Sequence, residues 1–475
     1  MPLKILLVRA KPDFMDMILG IPIGLSMVGS MAEREGHQVE ILDLALETSQ
    51  EPAERRLRAR LGERHFDLAG ITCMTVEFEA AVKTARIIRE AQPGCRIVFG
   101  GQHPTIQASH VASQEYCDIV VSGEGEITFV ELLEALEGKR TLESVAGLAY
   151  RQNGEVLSTG PRPAVDDLDS LPWPAYHLLE VERYFTLESV RYTPKHPRAM
   201  QIFTSRGCPW QCTYCHDLFG KTFRGRSADN VFGELKLLHD RYGVREYMIE
   251  DDIFNLDIER AKKICDRIIE SGMRIHLQFG NGLRAERFDE ELVEKLARAG
   301  THHVAIAIES ASPRIQKLIK KNLKLDRTQQ TVRWMRKHGI NSLGFFMIGF
   351  PFETVQEIEQ TIRFASETDL DEALFSIVIP YSGTELNRQV YEMGLFDPDA
   401  ASAGGEGITL IRSQEWDFRK LKQLQRKAYF TFFMSRYRFI RMLPRLFNPR
   451  STKKYLKAIE RNFLSYGGGS TSRIN

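Results

Sequence analysis

The chain has 475 residues, 43% hydrophobic and 27% charged, and its 64 lysines and arginines nearly balance 63 aspartates and glutamates. That composition suits two or three globular domains in water and excludes a whole-molecule attraction to polyanions. Met1-Pro-Leu-Lys4 opens no secretory leader, and no apolar run is long enough to cross a bilayer, so a reducing cytoplasm is the expected compartment. Cys73, Cys95, Cys117 and Cys265 stand singly and read as small core hydrophobes.

Residues 1–142 alternate strand with helix. Lys4–Val8 is a short apolar run, followed by a helical pattern from Ile23 to Glu35 and a strand from Gln38 to Leu42. Next come a strand at Leu68–Thr72, a helix at Phe78–Ala91, a strand at Arg96–Gly101, a strand at Asp118–Val121 and a helix at Ile127–Glu137. Such alternation predicts a doubly wound parallel sheet, which binds ligands beyond the carboxyl ends of its strands. Two glycine-bearing loops fall at those ends: Gly100-Gly101-Gln102-His103 and Ser122-Gly123-Glu124-Gly125-Glu126. Glycine there lets backbone approach a bulky ligand closely.

Residues 143–193 form a connector, with a hairpin on the Asn153-Gly154 turn and a proline-punctuated strap through Pro172-Trp173-Pro174. From residue 194 to 410 a strand-then-helix pattern repeats about six times, the strands lying near Gln201–Thr204, Glu246–Glu250, Ile275–Phe279, His303–Ile308, Leu343–Ile348 and Glu372–Ile379. Six such units predict a partial (β/α)6 barrel, whose chemistry gathers at the carboxyl strand ends. Those ends carry the polar and glycine elements: Asp251-Asp252, Gly280-Asn281-Gly282, Glu309-Ser310 and Gly349-Phe350-Pro351. His239 and His276 read as scaffold.

The loop after the first barrel strand holds three cysteines within eight residues: Cys208, Cys212 and Cys215. Iron–sulfur clusters are held by thiolates, and a four-iron cubane takes four. Three from one loop leave an iron open to something the protein does not supply. A structural zinc site wants four ligands, commonly two cysteine pairs. No second pair exists, and His216 adjoins Cys215 too closely to complete a tetrahedron.

The Cys-x3-Cys-x2-Cys run, with Tyr214 before its last cysteine, resembles the radical S-adenosylmethionine (SAM) superfamily. The resemblance implies a 4Fe–4S cluster on Cys208, Cys212 and Cys215, with the amino and carboxylate groups of SAM on the open iron. One electron then splits SAM into methionine and a 5′-deoxyadenosyl radical. It places Tyr214 beside the adenine, Glu309 and Ser310 at the ribose and amino group, and Gly349 and Pro351 on the adenine-side loop. Asp251 and Asp252 stand where many members carry paired glycines; contact with SAM's amino group, contact with substrate and helix capping all stay open. Asn281 and Arg284 are candidates for SAM's carboxylate.

The N-terminal set Pro22-x-Gly24-Leu25, Thr75, Gly100-Gly101-x-His103 and Ser122-Gly123-Glu124-Gly125 resembles the cobalamin-binding domain that precedes many radical SAM cores. The Asp-x-His-x-x-Gly motif that supplies a histidine to cobalt is absent, which implies no protein histidine on the lower face. The bland alternative is a sheet domain that no longer binds corrin. The resemblance implies methylation of an unactivated carbon by cobalamin and SAM. The rival outcomes are oxidative cyclisation, as in anaerobic porphyrin-ring cyclases, and a non-catalytic sensor. The implied partners are a small hydrophobic substrate and a reductant such as flavodoxin or ferredoxin.

Residues 411–475 form a helical basic tail. Between Phe418 and Phe463 stand Arg419, Lys420, Lys422, Arg426, Lys427 and further cations against Glu460 alone, with Tyr429, Phe430, Phe432 and Phe433 interleaved. Cations beside an aromatic face predict peripheral contact with the inner membrane face through 418–463. A charged helical lid is the structural alternative, and a nucleic-acid patch ranks last.

Overall fold

The computed structural model describes residues 2–12, 20–186, 194–216, 218–397, 411–434 and 438. The chain divides into two compact units, the first comprising Met1–Pro209, Asp217–Gly280 and Arg298–Gly300, the second Trp210–His216, Asn281–Ala297 and Thr301–Asn475.

In the first unit the strands β1 (Lys4–Arg9), β2 (Gln38–Asp43), β3 (Leu68–Thr72), β4 (Arg96–Gly100), β5 (Ile119–Val121), β6 (Leu148–Gln152) and β7 (Glu155–Ser158) make one sheet in the order β2-β1-β3-β4-β5-β6-β7. The first five run parallel. Their side chains alternate between two cores. Leu6, Val8, Ile71 and Phe99 enter one, with Leu57 and Leu61 of helix Gln50–Glu63. Ile5, Leu7, Val98 and Val121 enter the other, with Leu25 and Phe129. Covering both faces accounts for the near-continuous apolar strands.

Two details depart from the sequence expectation. Helix Gln50–Glu63 went unrecognised because only Ala53, Leu57 and Leu61 of its residues are buried, a thin stripe in an arginine- and glutamate-rich segment. The hairpin assigned to the connector instead extends the sheet: β6 pairs antiparallel with β5 through buried Leu148, Ala149 and Tyr150. Its turn is as expected, with φ of 51° at Asn153 and 85° at Gly154.

The same unit carries β8 (Ala199–Ile202), β9 (Ser205–Arg206), β10 (Arg224–Gly225), β11 (Glu246–Ile249) and most of β12 (His276–Leu283). Strand β11 lies parallel between β8 and β12, while β9 and β10 form a two-residue antiparallel ladder. Gly280, Asn281 and Gly282, expected as a loop, belong to β12. Helices Ala228–Tyr242 and Ile258–Ser271 begin on Ser227 and Asp257, whose side chains accept from the amides of Asn230 and Arg260. Capping is therefore the work of Asp257, not of Asp251 or Asp252.

In the second unit β13 (Thr301–Glu309), β14 (Asn341–Ile348) and β15 (Glu372–Ile377) run parallel with β14 central. Helix Val355–Glu367 starts on a capping box between Thr354 and Glu357. The basic tail begins as helix Phe418–Phe433, which packs on β15 and on helix Val355–Glu367 by burying Leu421, Leu424, Ala428 and Phe432. Gln425 donates to Phe375 O at 2.6 Å, and Arg438 donates to Ser366 O and Leu370 O at 2.9 and 3.0 Å, closing that helix's C-terminal end. This helix therefore packs on the core through its apolar stripe, while Arg419, Lys420, Arg426, Lys427 and Phe430 stay exposed. Residues 439–475, which carry the rest of the expected membrane segment, lie outside the described residues. Among the described residues no helix is long and apolar enough to cross a membrane.

Candidate active site

The carboxyl ends of β1, β3, β4 and β5 open into a cavity of about 250 Å³ within the first unit. Of the residues the sequence assigned to cobalamin, Leu25, Gly100, Gly101, Gly123, Glu124 and Gly125 line it. Gly101 holds φ 97° and ψ −167°, a region essentially closed to other residues, and a Cβ there would come within 2.7 Å of Thr72 Oγ1 and 3.0 Å of Cys73 O. The wall is thus flat where backbone replaces side chains, as a broad macrocycle requires. Thr105, which the sequence reading missed, ties the two glycine loops: it accepts from Gly123 N at 3.0 Å and donates to Gly101 O at 2.8 Å.

The remaining assigned residues stand beside that wall. Pro22 caps the helix that carries Leu25. His103 lies 4.0 Å from the Phe78 ring, with Nδ1 3.4 Å from Thr75 Oγ1. Burial, with help from the charge of His110, lowers its pKa and keeps the ring neutral at pH 7. His103 Nε2 and Ser122 Oγ are buried with no partner among the described residues. Buried polar atoms without a partner are rare and costly, but neither residue is among those lining the cavity, and the fit rests on the glycine wall. The residues present fit cobalamin. Glu124 is the correction: Arg206 and Arg224 occupy its carboxylate, so it does not face a ligand as a free acceptor.

The opposite wall consists of Trp173, Phe203, Arg206, Leu218 and Phe219. Leu218 and Phe219 belong to the cysteine loop, and Phe203 and Arg206 lead into it. Below, Asp251 is buried, its Oδ1 accepting from Thr204 N at 2.6 Å and its Oδ2 from the Thr204 and Ser205 hydroxyls at 2.5 Å. Asp252 accepts from Gly207 N at 3.1 Å. The acidic pair therefore anchors the backbone entering the cysteine loop, and the expected contact of Asp251 with SAM gives way to that role.

In the second unit Thr213 holds its loop on both sides, donating N–H to Ile319 O at 3.1 Å and accepting from Leu386 N at 2.7 Å. Arg284 lies 4.2 Å over the Trp210 ring and donates to Glu286 Oε1 at 2.6 Å and Lys321 O at 2.7 Å. These contacts steady the loop. Tyr214 OH donates to Glu309 Oε1 at 3.1 Å, and Lys321 Nζ stands 3.6 Å from the same oxygen. Burial raises the Glu309 pKa against the pull of Lys321 and Tyr214.

The sequence signals did not reveal how Glu309 is presented. The β13–β14 register shifts at Ala307 and Glu309, a bulge that re-aims the side chain, and Glu309 holds φ 68°. Gln316 brackets it, donating to Ile308 O at 2.8 Å and Ser310 O at 2.5 Å. Strain of this kind costs about 1–3 kcal/mol and persists where the surroundings enforce it. Ser310 is fully buried, 3.3 Å from Thr361 Oγ1, so its hydroxyl supports the strand end instead of facing a ligand.

Gly349 holds φ 91°, and a Cβ there would meet Leu421 of the tail helix at 2.8 Å. Pro351 follows, half-buried. Glu353, unnoticed in the sequence, closes this turn: its Oε2 accepts from Gly349 N at 2.7 Å and Phe350 N at 3.1 Å. Burial pushes its pKa up to about 8, although both amides pull down. Because the folded pKa exceeds the ordinary 4.5, the stabilisation is complete below pH 4.5 and is lost as pH rises toward about 8. The stability gap between wild type and Glu353→Gln should therefore shift by up to roughly 1.4 kcal/mol per pH unit across that window. Urea denaturation from about pH 6 to about pH 9 measures it; parallel curves would remove the buried acid from this account.

Cys208 and Cys212 are half-buried and Cys215 exposed. Among the described residues no three His, Cys, Asp or Glu side chains are gathered into a metal-holding arrangement. The donor set and spacing fit a cluster with one open iron, which Cys208, Cys212 and Cys215 would hold.

The radical SAM superfamily model matches residues 202–365, and the B12-binding domain model matches residues 19–133. An uncharacterised methyltransferase of Pyrococcus horikoshii is 34% identical over 422 residues, 87% of this chain and 88% of that one. Cytidylyl-2-hydroxyethylphosphonate methyltransferase of Streptomyces wedmorensis is 30% identical over 86% of this chain and 85% of its own. Among solved structures, the radical SAM methyltransferase TsrM from Kitasatospora setae, with cobalamin and a 4Fe–4S cluster bound, matches with TM-score 0.68 at 22% identity, covering 83% of this chain and 75% of that one. The α/β architecture, a Rossmann-like sheet followed by a partial barrel core, is shared.

Proposed function

Since this chain belongs to the radical SAM superfamily and carries the cobalamin-binding domain, we propose that it methylates an unactivated carbon of a small, largely apolar molecule. It is a radical SAM enzyme whose cofactors are a 4Fe–4S cluster, SAM and cobalamin. When bound, the cluster and SAM supply hydrogen-abstracting power and cobalamin supplies methyl transfer. One observation supports the proposal above the rest: a single cavity is walled on one side by the glycine loops and on the other by Phe203, Leu218 and Phe219 at the cysteine loop. That apolar wall supports an apolar substrate over a charged one.

The residue roles belong to the same proposal. Cys208, Cys212 and Cys215 hold the cluster. Tyr214 and Lys321 fix the Glu309 carboxylate, which accepts from a ribose hydroxyl or an ammonium of SAM. A charge-assisted hydrogen bond contributes about 1.5–3 kcal/mol. Glu309→Gln should accordingly weaken SAM binding roughly ten- to hundredfold, read by calorimetry on anaerobic protein, with cobalamin content unchanged. An unaltered Kd would free Glu309 from this role. The reaction itself is tested with methyl-labelled SAM under dithionite. Label in product, together with 5′-deoxyadenosine and S-adenosylhomocysteine, is expected; 5′-deoxyadenosine with unlabelled, ring-closed product would replace methylation by cyclisation.

A further inference from the structure

All three cysteines lie on the loop that β9 and β10 close at its base, and the ladder sets Arg206 directly opposite Arg224. Like charges facing each other across an antiparallel pair repel. The pair is nevertheless buried: the Arg206 and Arg224 side chains are 11% and 4% exposed, and Glu124 and Glu126 are 7% and 5%. The carboxylates resolve the repulsion. Arg206 donates to Glu124 Oε2 at 3.1 Å and Glu126 Oε1 at 2.5 Å, and Arg224 donates to Glu124 Oε2 at 3.0 Å. Both acids come from the glycine loop after β5, which walls the cavity.

Four buried charges in neutral balance contribute little net stability, because their desolvation offsets their attraction. Removing any one leaves the others buried and uncompensated, so the arrangement demands a particular register. The register reaches the cavity through Phe219. Arg224 donates to Phe219 O at 2.9 Å, and the Arg206 guanidinium lies 5.4 Å from the Phe219 ring, which lines the cavity.

We propose that Arg206, Arg224, Glu124 and Glu126 are positioning residues that couple occupancy of the glycine-walled cavity to the register of the β9–β10 ladder at the base of the cysteine loop. Cobalamin and cluster then bind cooperatively, each ordering the loop edge that the other needs. The coupling rests on the assignment of the cavity to cobalamin, and by linkage it is the same in both directions.

Hydroxocobalamin titrations, followed by quenching of tryptophan fluorescence from cavity-lining Trp173, separate the two ideas. Wild-type protein should bind hydroxocobalamin at least about fivefold more tightly with the cluster loaded than without it, at the low end of ordinary coupling. In Arg224→Lys, which keeps the charge and loses the fork, that ratio should fall toward one; Glu126→Gln should do the same from the other side. Circular dichroism identifies which variant is folded, and either folded variant decides the matter. A wild-type ratio of one, or an undiminished ratio in a folded variant, overturns the coupling. A wild-type chain that binds no hydroxocobalamin in either state overturns the cavity assignment instead.

Discussion

Cys212→Ala is expected to lose the brown cluster absorbance and to form no 5′-deoxyadenosine above background, while its circular dichroism stays that of the wild type. The loss is complete because a site with three thiolates has no ligand to spare: two thiolates leave two irons without protein donors. The fold survives because the loop backbone has hydrogen bonds of its own. Thr213 donates to Ile319 O and accepts from Leu386 N, Arg284 covers Trp210, and Cys208 N donates to Gly220 O at 3.2 Å. Anaerobic reconstitution, visible spectra and chromatography of the SAM products check the outcome. Wild-type 5′-deoxyadenosine formation by this variant would refute the cluster assignment.

What the sequence disclosed about this site follows from what each residue's role depends on. The cysteines declared themselves because ligand chemistry dictates their spacing. Gly100, Gly101, Gly123 and Gly125 did so because a backbone-walled cavity needs residues without side chains at consecutive strand ends. Residues whose role depends on a distant partner stayed hidden. Asp251 looks like a ligand-facing acid at a strand end until Thr204 and Ser205 are seen to occupy both its oxygens. Glu353 answers two amides of its own turn, Gln316 answers the carbonyls of Ile308 and Ser310 on either side of Glu309, and neither leaves a periodic trace. The pairing of Arg206 with Arg224 requires the register of a two-residue ladder across the intervening loop. The tail is ambiguous for the opposite reason: cations and aromatics on one helix read alike for a membrane and for a folded strut, and the burial of Leu421, Leu424 and Phe432 shows only that one face packs on the core.

Gly101→Val should give the converse phenotype. At φ 97° and ψ −167° any other residue is strained by about 1–3 kcal/mol, and a Cβ 2.7 Å from Thr72 Oγ1 forces the wall to shift. Valine's two further methyl groups press on a wall that here is bare backbone. Hydroxocobalamin affinity should fall at least about tenfold, which a shift of about 1.4 kcal/mol produces, while cluster absorbance persists. Gly36 supplies the control: its φ is 86° but nothing lies within 4 Å of an added Cβ, so Gly36→Ala strains the backbone without touching the cavity. Equal losses of cobalamin affinity in the two variants would trace the effect to global destabilisation and leave the glycine wall without a part in binding. A large loss in Gly101→Val alone would assign the backbone wall at Gly101 to cobalamin binding.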